Sequence, residues 1–232
     1  MGEELSEAGA LDILRACEAP KSYRPADADV LLLGSPSLMG RLIRWALSTA
    51  GEPARVNHVG LVCAMTPART AYLRRVREYE APPDMVGQWV VLEAVGRGVV
   101  ATPLGQYYKL TSKPGYWLVF GRRVDMPPGW TSRIVAEALG DVGRRYSVAR
   151  LLAWGLDHLV GSKFAGALGP DELVCSTYAA AAYMAAGICP IGDRESPHQV
   201  SPEDWWAEMQ GGEDWDVFAE EWPENGPGPA IA

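Results

Sequence analysis

Five short apolar runs come early in this chain: Asp29–Gly34, Val56–Met65, Trp89–Val95, Gly98–Thr102 and Tyr116–Val124. Each is rich in β-branched residues or leucine and is bounded by glycine, proline or polar residues, the pattern of a buried strand. Two adjacent prolines, Pro127 and Pro128, then change its character. Residues 131–142, 147–160 and 176–186 carry helical spacing, with a Gly161–Pro170 loop between the last two. Strands first and helices after predict an α+β fold, with a small antiparallel sheet packed against a helical layer.

Two connections are more than turns. Leu38–Ala50 has helical spacing, with Leu38, Leu42, Trp45 and Ala46 predicted to face the body and Arg41 and Arg44 to turn outward. Thr66–Gln88, carrying Arg69, Arg74, Arg75 and Arg77, is too long for a hairpin loop and predicts a short helix of its own. That segment is read either as a solvated surface helix or as a cover over a cleft. Residues 5–17 predict a further short helix ended by Pro20 and Pro25.

The chain divides into an N-terminal helical segment (1–26), a central domain (27–192) and an acidic, tryptophan-rich tail (193–232). Eleven acidic residues and one arginine lie between Asp193 and Glu224, so the formal charge of −8 belongs to the tail. No basic surface for nucleic acid is indicated. Trp215, Phe218 and Trp222 stand at i, i+3 and i+7 and predict one helical stripe. The tail either docks on its own domain or offers Trp205, Trp206, Trp215 and Trp222 to a protein partner. No apolar stretch approaches the roughly 20 residues of a transmembrane helix. Met1–Arg15 is acidic and amphipathic, unlike a signal peptide, which predicts a chain that is cytoplasmic when made.

Three polar residues interrupt this apolar framework. Cys175, in Leu173–Tyr178, opens an alanine-rich helix running to Gly187. Unpaired N–H groups and the helix dipole favour negative charge on sulfur there. Cys17, Cys63 and Cys189 lack that setting and read as small hydrophobes. His58 sits in an apolar strand whose alternation puts His58, Gly60 and Val62 on one face. Gly60 is predicted to leave space beside the imidazole. Glu93 interrupts Val90–Ala94, where an unpaired carboxylate is costly and a nearby imidazolium would relieve the cost. Taken singly, each has an ordinary explanation: a buried thiol, a core histidine, a strand-end carboxylate. The three histidines and four cysteines are dispersed, with no C-x-x-C pair, so neither a metal nor a cofactor is expected.

Taken in order, Asp29–Leu32, Asn57–Val62, Leu92–Ala94 with Gly98–Val99, Tyr146 and Cys175–Ser176 resemble the NlpC-type papain-like cysteine hydrolases. In the usual members the cysteine segment comes first; here it comes last, which is similar to the circularly permuted branch typified by YiiX and YaeF. Ser201–Asp204 resembles the S/T-P-x-D stretch downstream of the cysteine in that branch. The resemblance implies Cys175 as nucleophile, His58 as base and Glu93 as the residue that holds the imidazole. It places Tyr146 near the oxyanion, with Ser176 and Asn57 as further oxyanion or substrate contacts. The implied activity is cleavage of an amide through a thioester, with a cell-wall peptide as family-level substrate. The alternatives are an ester or thioester lipid hydrolase, or a non-catalytic module of a larger assembly such as a phage particle. A wall substrate would require a virion-associated chain or delivery by a non-Sec route.

Overall fold

The structure is a computed structural model that describes residues 23–48, 54–145, 174–192, 194, 196–211 and 213–220. Its centre is a six-stranded sheet of β1 (Val30–Gly34), β2 (His58–Ala64), β3 (Trp89–Val95), β4 (Gly98–Pro103), β5 (Trp117–Arg123) and β6 (Trp215–Glu220). The strand order is β4-β3-β2-β1-β5-β6, and every pair is antiparallel. Six α-helices accompany it among the described residues: α1 (Leu38–Leu47), α2 (Pro67–Val76), α3 (Leu104–Thr111), α4 (Trp130–Asp141), α5 (Cys175–Ala185) and α6 (Pro202–Gly211). The α+β expectation holds, and the five predicted strands appear with ends shifted by a residue or two. The predicted helices at residues 5–17 and 147–160 lie outside the described residues.

All five residues of β1 are buried because both faces of the sheet are covered. Val30 and Leu32 face one core, shared with Leu61, Ile134, Tyr178 and Trp205 beneath α4, α5 and α6. Leu31 and Leu33 face a second core with Val62, Val91, Tyr107 and Phe120, closed by α3. A strand buried on both sides reads as a continuous apolar run, which is how β1 is written. The sheet is pinned at its rim by Asp29, which is 1% exposed and accepts from Tyr23 Oη, Ala26 N and both Arg122 Nε and Nη2 at 2.8–2.9 Å. Such a bidentate arginine contact fixes orientation as well as charge.

The Thr66–Gln88 connection does form a helix, α2, capped by Thr66 Oγ1 accepting from Arg69 N at 3.2 Å. It leaves from the Ala64 end of β2, a strand's length (about 20 Å) from His58. Arg69 pairs with both Asp27 oxygens at 2.9 and 2.7 Å, and Arg77 Nε donates to the Val142 carbonyl at 2.9 Å. The segment is strapped to the body at two points.

One tail expectation is corrected, and one of its two alternatives is met. Trp215–Glu220 is an edge strand on β5 rather than a helical stripe. In a strand, i and i+3 point to opposite faces, and Trp215 accordingly packs in the helix-side core while Phe218 packs against the other. Trp205, Trp206 and Trp215 are 0%, 5% and 6% exposed, so these three dock on their own domain as core residues. Trp205 stands edge-on to both Tyr183 and Trp215, with centroids 5.7 and 5.9 Å apart. Trp222 lies outside the described residues. Helix α1 is also inverted relative to expectation: Leu38, Leu42 and Trp45 are exposed, while Arg44 turns in to the Ser35 carbonyl.

Gly60 has a different use from the one predicted. A Cβ there would lie 2.3 Å from Val91 Cγ1 and 3.6 Å from Glu93 Cβ, so the vacated space is filled by the neighbouring strand. Gly60→Ala is expected to cost about 1–3 kcal/mol through overpacking. Val91→Ala in the same chain should recover part of that loss. Denaturant melts of the two single variants and the double variant measure the coupling.

Candidate active site

Helix α5 starts at Cys175 and runs buried across β2 and β3, its alanines allowing close approach to the sheet. Its N-cap is Val174, which has no polar side chain to close the first turn. Thr177 Oγ1 instead accepts from Val174 N at 3.0 Å and donates to the Val174 carbonyl at 3.1 Å. The first-turn amides therefore stay directed at whatever faces Cys175. Cys175 itself is 4% exposed.

Ser176 is fully buried, and its Oγ donates to the Val200 carbonyl at 2.8 Å. Its own carbonyl accepts from Trp205 Nε1 at 3.3 Å. Ser176 thus anchors the start of α5 and does not point to an oxyanion or a substrate. Asn57 is likewise committed: its side-chain Nδ2 donates to the Ser35 carbonyl at 3.0 Å and its backbone N to the Leu33 carbonyl at 3.1 Å. It fixes the entry to β2, one residue before His58. Tyr146 lies outside the described residues.

His58, the first residue of β2, meets Glu93 of the adjacent β3, with Nε2 2.5 Å from Oε2. The Cys175 side chain hydrogen-bonds to the same imidazole. Because Glu93 takes Nε2, Nδ1 is left for the sulfur. Burial disfavours charge on His58, but the hydrogen bonds to Cys175 and Glu93 outweigh it and lift its pKa to about 10. Glu93 is 4% exposed; burial would raise its pKa, yet its hydrogen bond to His58 and the imidazolium charge bring it below the usual carboxylate value. The three side chains form one hydrogen-bonded array.

A fourth member was not anticipated from the sequence. Tyr107 of α3 donates its hydroxyl to Glu93 Oε2, and that hydroxyl lies 3.4 Å from His58 Nε2. Burial, reinforced by the Glu93 charge, pushes the Tyr107 pKa well above its ordinary value, so it acts only as a proton donor to the carboxylate. The available signal was the spacing of Leu104, Tyr107 and Tyr108, at i, i+3 and i+4, which marks one apolar face of a helix directly after a strand.

Two further contacts brace the array from α6. Glu203 Oε2 accepts from Arg55 N at 2.9 Å and Val56 N at 3.3 Å, holding the segment that leads into His58. Ser201 and Asp204 cap α6 reciprocally: Ser201 N and Oγ donate to Asp204 Oδ2 at 2.7 Å, and Asp204 N donates to Ser201 Oγ at 3.1 Å. Among the described residues, no three His, Cys, Asp or Glu side chains converge on a position that would hold a metal ion. His58 and Glu93 are spent on each other.

No protein-family model matches this chain. No curated protein matches it either. Among solved structures it is similar to the metalloprotein yiiX from Escherichia coli O157:H7, described as DUF1105, with a TM-score of 0.55 and 18% identity. The match covers 87% of this chain and 100% of that one, and at this identity it establishes a shared fold: the chain has a YiiX-like fold.

Proposed function

We propose that this chain is a cysteine hydrolase with a circularly permuted papain-like fold of the NlpC type, cleaving an acyl bond through a thioester. The observation that carries the reading is the Cys175–His58–Glu93 array, with the cysteine on the first turn of a helix and the carboxylate on the far side of the imidazole. An imidazole hydrogen-bonded to a cysteine on one side and a carboxylate on the other is the triad arrangement in general form. His58 accepts the thiol proton, and Cys175 Sγ attacks the carbonyl carbon. The oxyanion is received by the Cys175 backbone N–H, a donor of a kind typically worth roughly 3 kcal/mol of barrier. The imidazolium then protonates the leaving nitrogen or oxygen. Water, deprotonated by His58, attacks the thioester and regenerates the thiol. Glu93, held by Tyr107, fixes the ring tautomer and stabilises its charged form.

No step of this mechanism is routed through a metal. The YiiX neighbour is described as a metalloprotein, but the donors near Cys175 are already paired with one another and do not fit an ion-binding set. An amide is the leading substrate class, with a cell-wall stem peptide as its family-level form. An ester or thioester of a lipid is the second reading, favoured by the apolar residues exposed on α1, whose Gly40 closes on Asn57 next to His58.

The direct test is incubation with muropeptides and with acyl-lipid esters, comparing wild type and Cys175→Ala by mass spectrometry. Wild type should release product from one class, and Cys175→Ala should lose at least about a thousandfold, as expected for a covalent nucleophile. Iodoacetamide at neutral pH should label Cys175 faster than Cys63, and His58→Ala should abolish the difference. Equal labelling rates would identify a non-catalytic module.

The pH dependence follows from the same contacts. His58, raised to about 10, keeps its proton far above the ordinary histidine range. The alkaline limb of kcat/KM is therefore expected near pH 10 rather than near 6.5. The stability from His58 is complete below its unfolded value of 6.5 and is lost as pH rises through about 10. That from Glu93 is complete above 4.5 and is lost as pH falls through its lowered folded value. The melting-temperature gap between wild type and Glu93→Gln should thus be widest between 4.5 and 6.5. Tyr107→Phe keeps the ring but removes the donor to Glu93. It should lower kcat about tenfold and displace the pH limbs while leaving KM within about twofold, an effect of order 1.4 kcal/mol.

A further inference from the structure

Helix α1 turns its apolar side to solvent. Leu38, Met39, Leu42 and Trp45 are 68%, 55%, 50% and 54% exposed. Leu38, Leu42 and Trp45 stand at i, i+4 and i+7, so they form one stripe along the helix. Its inward side is made of Gly40, Ile43, Arg44 and Leu47. Gly40 closes on the body, where a Cβ would come within 2.6 Å of Asn57 Nδ2, and Arg44 Nη1 donates to the Ser35 carbonyl at 2.5 Å. Isolated exposed leucines need no explanation, but a stripe on one amphipathic helix marks an interaction surface.

Charge identifies the occupant. Arg41 and Arg44 lie on the same helix, which contains no acidic residue. Among the described residues no carboxylate forms an ion pair with either. Burial and the neighbouring Arg41 charge both press on Arg44. A helix with leucine, methionine and tryptophan outward and the exposed, ion-pair-free Arg41 alongside matches the interfacial class of amphipathic helices. Tryptophan is enriched at the headgroup level and arginine is drawn to anionic lipid.

We propose that α1 docks this protein on an anionic phospholipid bilayer, with Leu38, Met39, Leu42 and Trp45 entering the acyl boundary and Arg41 meeting headgroup phosphates. The helix follows β1, whose Leu33 pairs with His58, and Asn57 ties the two together through Ser35. Docking therefore brings the Cys175–His58 end of the sheet to the membrane surface. The surface is independent of the acyl chemistry, so Cys175→Ala must bind as wild type does.

The test is co-sedimentation of the full chain with phosphatidylcholine vesicles, with and without phosphatidylglycerol. Wild type and Cys175→Ala should pellet with the phosphatidylglycerol vesicles and release as salt is raised. Leu42→Asp and Trp45→Asp should stay in solution while keeping the wild-type melting temperature, because both side chains already meet water in the free protein. Arg41→Gln should partition about fivefold less strongly. Absence of binding to phosphatidylglycerol vesicles, or binding that survives both aspartate substitutions, overturns the proposal. So does a fall in melting temperature in both variants, which would show the stripe covered within the chain. A dimer on size exclusion that Leu42→Asp dissolves overturns it too, by assigning the stripe to a second copy.

Discussion

Helix α6 holds two parts of the molecule that would otherwise have no reason to meet at a fixed distance. Glu203 Oε2 accepts the backbone amides of Arg55 and Val56, just before the histidine strand. Two residues on, Trp205 Nε1 donates to the carbonyl of Ser176, in the first turn of the cysteine helix. The residue before the helix cap contributes as well, since the Val200 carbonyl accepts from Ser176 Oγ. One short helix therefore grips both halves of the site through backbone groups, which cannot change rotamer. Glu203 is half-desolvated, and burial raises its pKa, so its ionised form depends on the two amides it accepts. The Ser201–Asp204 cap fixes where that helix begins and so where Glu203 and Trp205 emerge.

Burying an ion pair in a sheet covered on both faces is a poor way to gain stability, because desolvating two charges commonly cancels their attraction. The His58–Glu93 pair is kept within bounds by how its remaining valences are met. Glu93 Oε2 accepts from both His58 and Tyr107, so the carboxylate has two donors at one oxygen. His58 remains partly exposed at the strand start. Gly60 belongs to the same arrangement: without a side chain, it lets Val91 and Glu93 of the next strand lie close, and so brings the carboxylate within reach of the ring. The site is thus written into strand packing as much as into its own polar groups.

What the sequence makes legible follows from how local each signal is. The β1 run and the alanine helix at Cys175 announce themselves because burial on all sides leaves no polar residue to break the pattern. Cys175, His58 and Glu93 each interrupt such a pattern, and the structure brings all three together. Tyr107 was invisible because a buried tyrosine on an apolar face needs no explanation until its partner Glu93 is known. Glu203 carries no side-chain pattern at all, since its partners are main-chain amides 147 and 148 residues away. Trp215–Glu220 is a strand where a helix is predicted because its two aromatic residues, in a short acidic stretch, fit a helix and an edge strand equally, and only pairing with β5 decides. For α1, amphipathic spacing correctly located an apolar face but not what that face meets. Ser176 and Asn57 show the converse, polar residues beside a site that the fold uses as rivets.

The order of elements divides the site by sequence distance. His58, Glu93 and Tyr107 fall within one continuous stretch that forms β2, β3, β4 and α3, with neighbours in sequence pairing as neighbours in the sheet. Contacts of this kind close short loops at low entropic cost. Cys175, Val200, Glu203 and Trp205 arrive from the far end of the chain and complete the array by packing across that sheet. His58 and the groups that hold it therefore rest on the molecule's most local structure, whereas Cys175 rests on its least local. Substitutions in α6 or at the β5–β6 edge should loosen the sulfur before they disturb the His58–Glu93 pair. This asymmetry also accounts for the tail's apolar content: Trp205, Trp206, Met209 and Trp215 are buried against the sheet, and their burial holds the last-arriving segment, and with it the cysteine helix, in register with the His58–Glu93 pair.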